Sequence, residues 1–401
     1  MNDTVKPQAK ARTAIIVGGG VAGPTAALAL RRAGIEAVVH EARDTRPEPG
    51  GGPLSVAANG QAALDLVGAG HLLDGIAVPT PRFIVQSYTG KVLGEMNDAP
   101  DRRPRMTLPR GTLTAALGRH AESEGVEFAY GKRFVGAVDT GRSVIARFDD
   151  HTTAEADVLI GCDGIHSAVR AAIDPKAPEP RYTGLVGFGG HVDAGGLPDT
   201  GGAQHFVFGR KAFFGYQIEA GECGWYANLP VKRIGQGELR ETGIDAWTER
   251  LRLAFARDDS PALAILDRVT PETFIPAHRL EDLPRVPRWS KGRTVLVGDA
   301  AHATSPSSGQ GASLAAESAV ELAICLRDLP PEAAFRAYRH RRGDRVERVI
   351  AMAARTNRAK AAGPVAARLR DRFMPFFMEK FNTPEKTAWQ YAYRIDWEAA
   401  A

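Results

Sequence analysis

The segment Gly18-Gly19-Gly20-Val21-Ala22-Gly23 constrains the fold of this chain more than any other feature. It follows an apolar strand predicted over 13–17 and opens a helix predicted over 21–32, and a second strand is predicted over 37–40. Glycines at the first, third and sixth places allow a tight turn, close approach of the backbone to a pyrophosphate and close helix–strand packing. The opening therefore predicts a parallel β-α-β unit that binds a dinucleotide.

An acidic residue stands where such a unit needs one. Glu41 ends the second predicted strand, and a carboxylate there suits a ribose 2′-hydroxyl and repels a 2′-phosphate. The helix N-terminus supplies unpaired N–H groups and partial positive charge for the phosphates. The predicted dinucleotide site includes Gly18, Gly20, Val21, Ala22, Gly23, Glu41, Ala42 and Arg43.

A second signal lies near the middle of the C-terminal half. A strand predicted over 293–297 ends in Gly298-Asp299, and Pro306 and the turn Gly309-Gln310-Gly311 precede a helix from Ala312. A carboxylate at the carboxyl end of a parallel strand lies where open α/β sheets bind ligands. We expect Asp299 to cap the following helix and to bind ligand. For His302, packing and ligand binding remain equal alternatives.

A third segment, Asp163-Gly164, follows a buried strand predicted over 157–160 and precedes a helix. Taken alone it fits a capped turn, with Asp163 or Ser167 as the N-cap. Like the other two segments, it lies between a strand and a helix.

Composition sets limits on the remaining classes. The chain has 401 residues with 44% hydrophobic and 24% charged, which excludes a disordered chain, and its net charge of +4 is too small to indicate nucleic acid. The cysteines Cys162, Cys223 and Cys325 are far apart, so neither a disulfide framework nor a cysteine-based zinc site is expected. Because glycines and a proline interrupt the apolar stretch 14–30, we predict a cytoplasmic protein without a membrane span.

The residue composition and the predicted secondary structure change at about residue 182. Up to residue 230 the chain is rich in glycine and in aromatic strands, which is typical of antiparallel sheet. We predict an α/β chain with a nucleotide-binding domain in segments 1–75, 100–181 and 285–330. A β-rich substrate domain is predicted in segments 76–99 and 182–284, and a C-terminal helical segment over 331–401.

The three motifs together resemble those of the FAD-dependent aromatic hydroxylases, the single-component group A flavoprotein monooxygenases with the para-hydroxybenzoate hydroxylase fold. They occur in that family's order, and lesser matches are Gly51-Gly52-Pro53-Leu54 with Asn59-Gly60, and Leu108-Pro109-Arg110-Gly111-Thr112. The resemblance implies a Rossmann-like FAD-binding domain with an inserted, mostly antiparallel substrate domain. One departure is Ser313, where many members carry Asn.

The resemblance also implies roles for residues. Glu41 would bind the adenosine ribose, Arg110 would contact FAD, and Asp299 would bind the ribityl chain. Gly311 would lie near the pyrimidine edge of the flavin. The segment from Asp163 would support FAD and a nicotinamide cofactor that binds transiently.

The activity that the resemblance implies is a monooxygenation. NADPH or NADH reduces FAD, O2 forms a flavin C4a-hydroperoxide, and one oxygen atom enters an aromatic or polycyclic small molecule. The alternatives are an alkene epoxidase, an FAD-dependent reductase or dehydrogenase without oxygen insertion, and a non-enzymatic FAD-binding protein. We expect a monomer or homodimer with no metal, no bound nucleic acid and no stable membrane insertion.

Two further predictions concern the substrate and the C-terminal segment. Strand alternation puts Tyr216 on the same face as Phe214 and Ile218. It likewise puts Asn228 on the same face as Tyr226, and we predict that Tyr216 and Asn228 face the substrate. The segment 336–372 carries 12 Lys or Arg against 3 acidic residues, which predicts a solvated basic helix face, with nucleic acid or membrane contact as the alternative. The aromatic run 373–381 is expected to pack on the β-rich domain or to line the substrate entrance.

Overall fold

The structure, a computed structural model, describes residues 9–360, 364–381 and 383–401. The strands along the chain are β1 (Thr13–Val17), β2 (Glu36–His40), β3 (Pro53–Val56), β4 (Val78–Pro79), β5 (Arg82–Ser87), β6 (Val92–Asn97), β7 (Met106–Pro109), β8 (Glu127–Ala129), β9 (Phe134–Asp139), β10 (Val144–Phe148), β11 (Thr153–Ala156), β12 (Val158–Gly161), β13 (Arg181–Asp193), β14 (Ala203–Phe208), β15 (Phe213–Glu219), β16 (Glu222–Pro230), β17 (Phe274–Asp282), β18 (Ser290–Lys291) and β19 (Thr294–Leu296). The helices are α1 (Ala22–Arg32), α2 (Ala58–Leu66), α3 (Arg110–Ser123), α4 (Ala168–Ile173), α5 (Gln236–Glu241), α6 (Ile244–Phe255), α7 (Ala262–Leu266), α8 (Asp299–His302), α9 (Gly311–Asp328), α10 (Pro331–Lys360), α11 (Pro364–Phe381) and α12 (Pro384–Tyr391).

The first large sheet holds the glycine-rich opening. Its strand order is β18-β19-β12-β1-β2-β8, and all neighbouring pairs except β18–β19 are parallel. The apolar run of β1 is buried, as expected for a parallel sheet covered on both faces. Because β1, β12 and β19 are adjacent and parallel, the residues that follow them come to one edge of the sheet.

Helix α1 packs on β1 and β2 of this sheet. The Ala- and Leu-rich α1 also packs on α9, and α9 packs on α10. Tyr338, Val346 and Val349 of α10 are buried in the same hydrophobic core as Ile15 and Ile160 of the sheet. The C-terminal segment therefore shares its core with the nucleotide sheet.

The second large sheet has the order β17-β13-β16-β15-β14-β5-β6 and is antiparallel except for the β14–β5 pair. One face packs on α6 and α7 through Phe188, Trp225, Trp247 and Phe255. Strand β17 contains Pro276, and its place at the edge of the sheet accommodates that proline.

Two smaller sheets, β11-β10-β9 and β3-β7-β4, complete the fold among the described residues. The predicted α/β fold class with an antiparallel insertion and a helical C-terminal segment is confirmed, while the exact domain boundaries stay a prediction. Over the described part of the chain, no helix combines the length and apolarity needed to cross a membrane.

Candidate active site

A cavity of about 1650 Å³ is lined both by the edge of the nucleotide sheet and by the second large sheet. It is larger than the ~300–1,000 Å³ of ordinary small-molecule sites. The site residues predicted from sequence that line it are Gly18, Gly20, Val21, Ala22, Glu41, Ala42, Arg43, Gly52, Arg110, Asp163, Gly164, Asn228, Asp299, Pro306, Gly309, Gly311 and Ala312. Gly23, Gly298 and Tyr216 do not line it.

The glycine-rich turn is shaped by two close approaches of backbone. Gly18 has φ of +108°, and a Cβ added there would lie 2.5 Å from the carbonyl oxygen of Cys162. A Cβ at Gly23 would lie 2.0 Å from the Gly18 carbonyl oxygen, so Gly23 acts by letting α1 start close to the turn. Gly20 has open space around it, and its backbone is accessible from the cavity.

Glu41 organises the turn as well as facing the cavity. Its carboxylate accepts the Gly19 N–H at 2.7 Å and the Arg43 N–H at 2.9 Å, and the residue is 6% exposed. Charge-assisted bonds of this kind are stronger than neutral ones. Glu41 therefore fixes the positions of the chain segments that follow β1 and β2.

Asp163 lines the cavity and supports the start of α4, while Ser167 is the N-cap. Its carboxylate accepts the Ser167 hydroxyl at 2.5 Å and the Val169 N–H at 3.0 Å. Ser167 is the N-cap of α4, since its Oγ accepts the Arg170 N–H at 2.9 Å. Burial raises the pKa of Asp163, and the bonds from Ser167 and Val169 act against that rise.

Asp299 differs from the prediction in one respect. The N-cap of α8 is Gly298, whose φ is +64°, and the Asp299 side chain makes no capping bond. A Cβ at Gly298 would lie 3.0 Å from the Cβ of Ala22, so this glycine serves packing. The Asp299 carboxyl is exposed to the cavity although it lies deep in the protein. Burial raises its pKa, and the Arg110 charge lowers it in part.

A buried polar network lies behind the start of α9. Gln310 is fully buried, and its Oε1 accepts the Asn59 amide at 2.9 Å. The same amide donates to Glu317 at 2.6 Å, and Glu317 also pairs with Arg342 at 2.6 Å and with Arg345 at 2.7 Å. These contacts hold the N-terminus of α9, at Gly311, against the cavity.

Ser313 and His302 are both packed inside the protein. Ser313 is fully buried, and its Oγ accepts the Ala57 N–H at 3.1 Å. A Cβ added to Gly60 would lie 2.7 Å from the Cβ of Ser313. Gly60 therefore lets α2 approach Ser313 of α9 closely. His302 is buried with its Nε2 2.9 Å from the Ser318 hydroxyl, and burial lowers its pKa to about 3.

The far end of the cavity has an aromatic wall on the second sheet. Phe206, Phe213 and Tyr226 line it, and Asn228 lies beside Phe213 in the sheet. Tyr216 pairs with Trp225 instead, on the opposite face that packs against α6 and α7, and stacks on His205 with ring centroids 4.9 Å apart. Strand alternation thus brings Asn228 to the cavity and turns Tyr216 away from it.

Comparison with known proteins agrees with this geometry. Residues 11–353 match the family model described as FAD binding domain. The FAD-dependent urate hydroxylase of Klebsiella pneumoniae subsp. pneumoniae is 30% identical over 345 residues, covering 84% of this chain and 87% of that protein. The chain belongs to the family of FAD-dependent monooxygenases. The 6-hydroxynicotinate 3-monooxygenase of Pseudomonas fluorescens is 29% identical and covers 83% of this monooxygenase and 88% of its own length.

A solved structure extends the likeness over nearly the whole fold. The Klebsiella pneumoniae protein HpxO in complex with FAD and uric acid superposes with a TM-score of 0.82 at 25% identity, covering 94% of this monooxygenase and 97% of that chain. The predicted family is therefore confirmed, and so is the prediction of an oxygen-inserting flavoenzyme.

The residues present fit FAD. The open backbone at Gly20 and the N-terminus of α1 suit a pyrophosphate, and Asp299 has a carboxyl that faces the cavity without a capping bond. The N-terminus of α9 lies at the same cavity. Within the described residues, no group of three or more His, Cys, Asp or Glu is placed to hold a metal ion.

The structure adds a cavity residue that the sequence did not indicate. Lys360, at the end of α10, lines the cavity beside Asn228 and had no signal in the sequence. Phe373 and Phe377 of α11 line the cavity margin, in agreement with the prediction for the aromatic run 373–381. The solvated basic face expected over 336–372 is corrected in part, because Arg342 is fully buried and Arg345 nearly so. No local pattern marks which arginines of a helix turn inward, since that depends on the Glu317 of another helix.

Proposed function

We propose that this monooxygenase oxidises NADPH or NADH and inserts one oxygen atom of O2 into an aromatic or polycyclic small molecule, heteroaromatic rings included. The observation that supports it is that one cavity joins the dinucleotide edge of the nucleotide sheet to an aromatic wall. The names of the relatives that act on urate and 6-hydroxynicotinate support a ring substrate. A flavin and a flat ring need adjoining space of this kind.

The nucleotide end would hold FAD by several parts of the chain. We assign the backbone at 18–20 and the N-terminus of α1 to the pyrophosphate, Glu41 to the adenosine ribose and Asp299 to the ribityl chain. When bound, FAD supplies electron transfer from the nicotinamide cofactor and activation of O2. The N-terminus of α9 at Gly311–Ala312 would stabilise negative charge on the flavin pyrimidine edge without mobile solvent.

The aromatic end would orient the substrate and exclude water. Phe206 and Phe213 have their ring centroids 5.8 Å apart, and Tyr226 lies 6.1 Å from Phe213. Such rings bury large apolar area and favour stacking with another ring. Excluding water from the site limits the unproductive decay of activated oxygen before it reaches the substrate. The chain has no second G-x-G-x-x-G, so we expect the nicotinamide cofactor to bind transiently.

The experiment is a turnover screen of the purified, FAD-loaded protein. Aromatic and heteroaromatic metabolites are supplied with NADH or NADPH under ¹⁸O2, and products are analysed by mass spectrometry. We expect substrate-stimulated nicotinamide oxidation and one labelled oxygen in the product. Nicotinamide oxidation with a reduced, unlabelled product would favour the reductase, and a labelled epoxide from an alkene would favour the epoxidase.

We further propose a cytoplasmic monomer or homodimer that binds no nucleic acid. The three cysteines are all buried free thiols, which supports a reducing compartment. Light scattering on a sizing column measures the mass. A species larger than two chains would contradict the proposed assembly.

A further inference from the structure

Lys360 is a cation placed in the aromatic end of the cavity. Its Nζ lies 3.0 Å from Oδ1 of Asn228 and 3.9 Å from the centroid of the Phe213 ring. Asn228 is 5% exposed, and its amide nitrogen donates to the Ala227 carbonyl at 2.9 Å. That bond directs the Asn228 oxygen toward the lysine. The ammonium is therefore held at a fixed place on the wall.

Two other cations on the cavity wall give a comparison. Arg105 lies over the Phe83 ring at 4.2 Å and pairs with Asp98 at 2.8 Å. Arg370 lies over the Phe208 ring at 4.4 Å and pairs with Asp371 at 2.6 Å. Both arginines thus combine a ring with a carboxylate. Lys360 has a ring and a neutral amide, and no carboxylate pairs with it among the residues that the structure describes.

An ammonium group has three N–H donors, and Asn228 accepts one of them. A charge removed from water needs an opposite charge or several hydrogen bonds to be stable. Consistent with this, burial lowers the pKa of Lys360 to about 7. An anionic oxygen delivered by a ligand would complete the coordination of the lysine and favour its charged form.

We propose that Lys360, held by Asn228, binds an anionic oxygen of the substrate and makes aromatic anions the preferred substrate class of this cavity. The inference rests on the proposed function, because it takes the aromatic end as the substrate site. The ring of the anion then lies among Phe206, Phe213 and Tyr226, while its charged oxygen meets the lysine. The oxygen can belong to a carboxylate or to an ionised ring hydroxyl.

Binding to the FAD-loaded protein near neutral pH tests this, by equilibrium dialysis and by the shift of the flavin absorption spectrum. Two matched pairs separate the sources of the charge: benzoate with benzamide, and 2,4-dinitrophenol, which is ionised at neutral pH, with neutral 2,4-dinitroaniline. We expect at least one anion to bind about ten- to a hundredfold more tightly than its neutral partner. The pair that shows the preference identifies carboxylate, ionised hydroxyl or both.

The variants test the residue. Lys360→Met should abolish the preference for the anion, Lys360→Arg should retain part of it, and Asn228→Asp should abolish it because the new carboxylate takes up the lysine charge. Lys211→Met is the matched control, since Lys211 is an exposed lysine in the turn before β15. It should bind all four probes as the unmodified protein does. Thermal unfolding checks that each variant is folded, and Asn228→Asp keeps the lysine in place if Lys360→Met is unstable.

Equal affinity for anion and neutral partner in the unmodified protein, no binding of either anion, or an unchanged preference in folded Lys360→Met would overturn the proposal. The binding readout needs neither nicotinamide nor oxygen. A lost anion preference in Lys360→Met without labelled product in the turnover screen would uphold the lysine site and refute the proposed function. Labelled product with no anion preference would do the reverse.

Discussion

At the scale of single residues, Glu41 illustrates how one side chain serves both structure and ligand. Its two oxygens accept N–H groups from residues that follow two different strands, Gly19 after β1 and Arg43 after β2. The carboxylate also lines the cavity. A change at this residue therefore affects the shape of the turn and the binding of the adenosine ribose together.

Replacing Glu41 with Gln should weaken FAD binding. The amide keeps one acceptor oxygen but loses the negative charge, so one charge-assisted bond is lost and the other is weakened, which costs about 1–3 kcal/mol. Fluorescence titration of the apoprotein should show the Kd for FAD rising by about ten- to a hundredfold. Glu36→Gln is the control, because Glu36 is exposed at the other end of β2. An unchanged Kd in Glu41→Gln would refute the role of Glu41.

Single residues also show how far sequence reasoning reaches. The glycines and acids of the three motifs are local signals, because the turn each one makes is determined by its own segment. Alternation correctly separates the two faces of β15 and β16, but it does not say which face meets the helices. Tyr216, predicted to face the substrate, therefore lies on the face that meets the helices and does not line the cavity. Lys360 carries no local signal at all.

At the scale of elements, the buried network joining α9 to α10 carries a stability prediction. Glu317 is fully buried, and although burial alone raises its pKa, the charges of Arg342 and Arg345 hold that pKa below its ordinary value. Glu317→Gln leaves two arginines without their carboxylate. We expect the free energy of unfolding at pH 7 to fall by about 3–5 kcal/mol, measured by denaturant titration.

The same network predicts a pH dependence. A carboxyl whose pKa is lower in the folded state stabilises the fold above the ordinary carboxyl pKa, and this contribution is lost as the pH falls through the lower folded-state pKa. The difference in stability between the unmodified protein and Glu317→Gln should therefore shrink below about pH 4.5. Glu332→Gln removes an exposed acid in the first turn of α10 and should change the stability by less than about 1 kcal/mol at pH 7 and at about pH 4. A pH-independent difference would contradict the charge pairing.

Elements also show where periodicity fails. The strands and helices around the motifs follow simple patterns, whereas β17 contains Pro276 and is recognisable only beside its partner β13. The burial of arginines in α10 likewise depends on a partner element. Val346 and Val349 have the spacing of an apolar helix face and are buried, but the inward turn of Arg342 and Arg345 depends on a carboxylate of α9.

At the scale of the whole molecule, three segments far apart in sequence meet along one edge of the nucleotide sheet. Their order and their position after strands could be predicted, because parallel neighbours place their carboxyl ends together. The relation of that edge to the second sheet could not, since it depends on long-range packing. The cavity between them requires both parts of the fold.

FAD should therefore stabilise the whole molecule. Free FAD at roughly a hundred times its Kd adds about 2.7 kcal/mol to the stability of a protein that binds it only when folded. Thermal unfolding of the apoprotein should show the midpoint rising with FAD concentration. Riboflavin is the matched ligand, because it lacks the pyrophosphate and adenosine that the Gly18–Gly23 end and Glu41 would bind, and it should raise the midpoint far less. Equal shifts would contradict the assigned dinucleotide end.

The length of helix α10 determines where the amine of Lys360 lies relative to the protein core. The helix runs for 30 residues, so it is about 45 Å long, and it is anchored through Val349 while Lys360 stands 11 residues further on. Inserting one residue between them rotates the amine by about 100° around the helix axis and away from Asn228. The number of residues between Val349 and Lys360 thus sets the position of the amine. Homologous chains with a different number would bind different substrates, although the end of the cavity assigned to FAD would be unchanged.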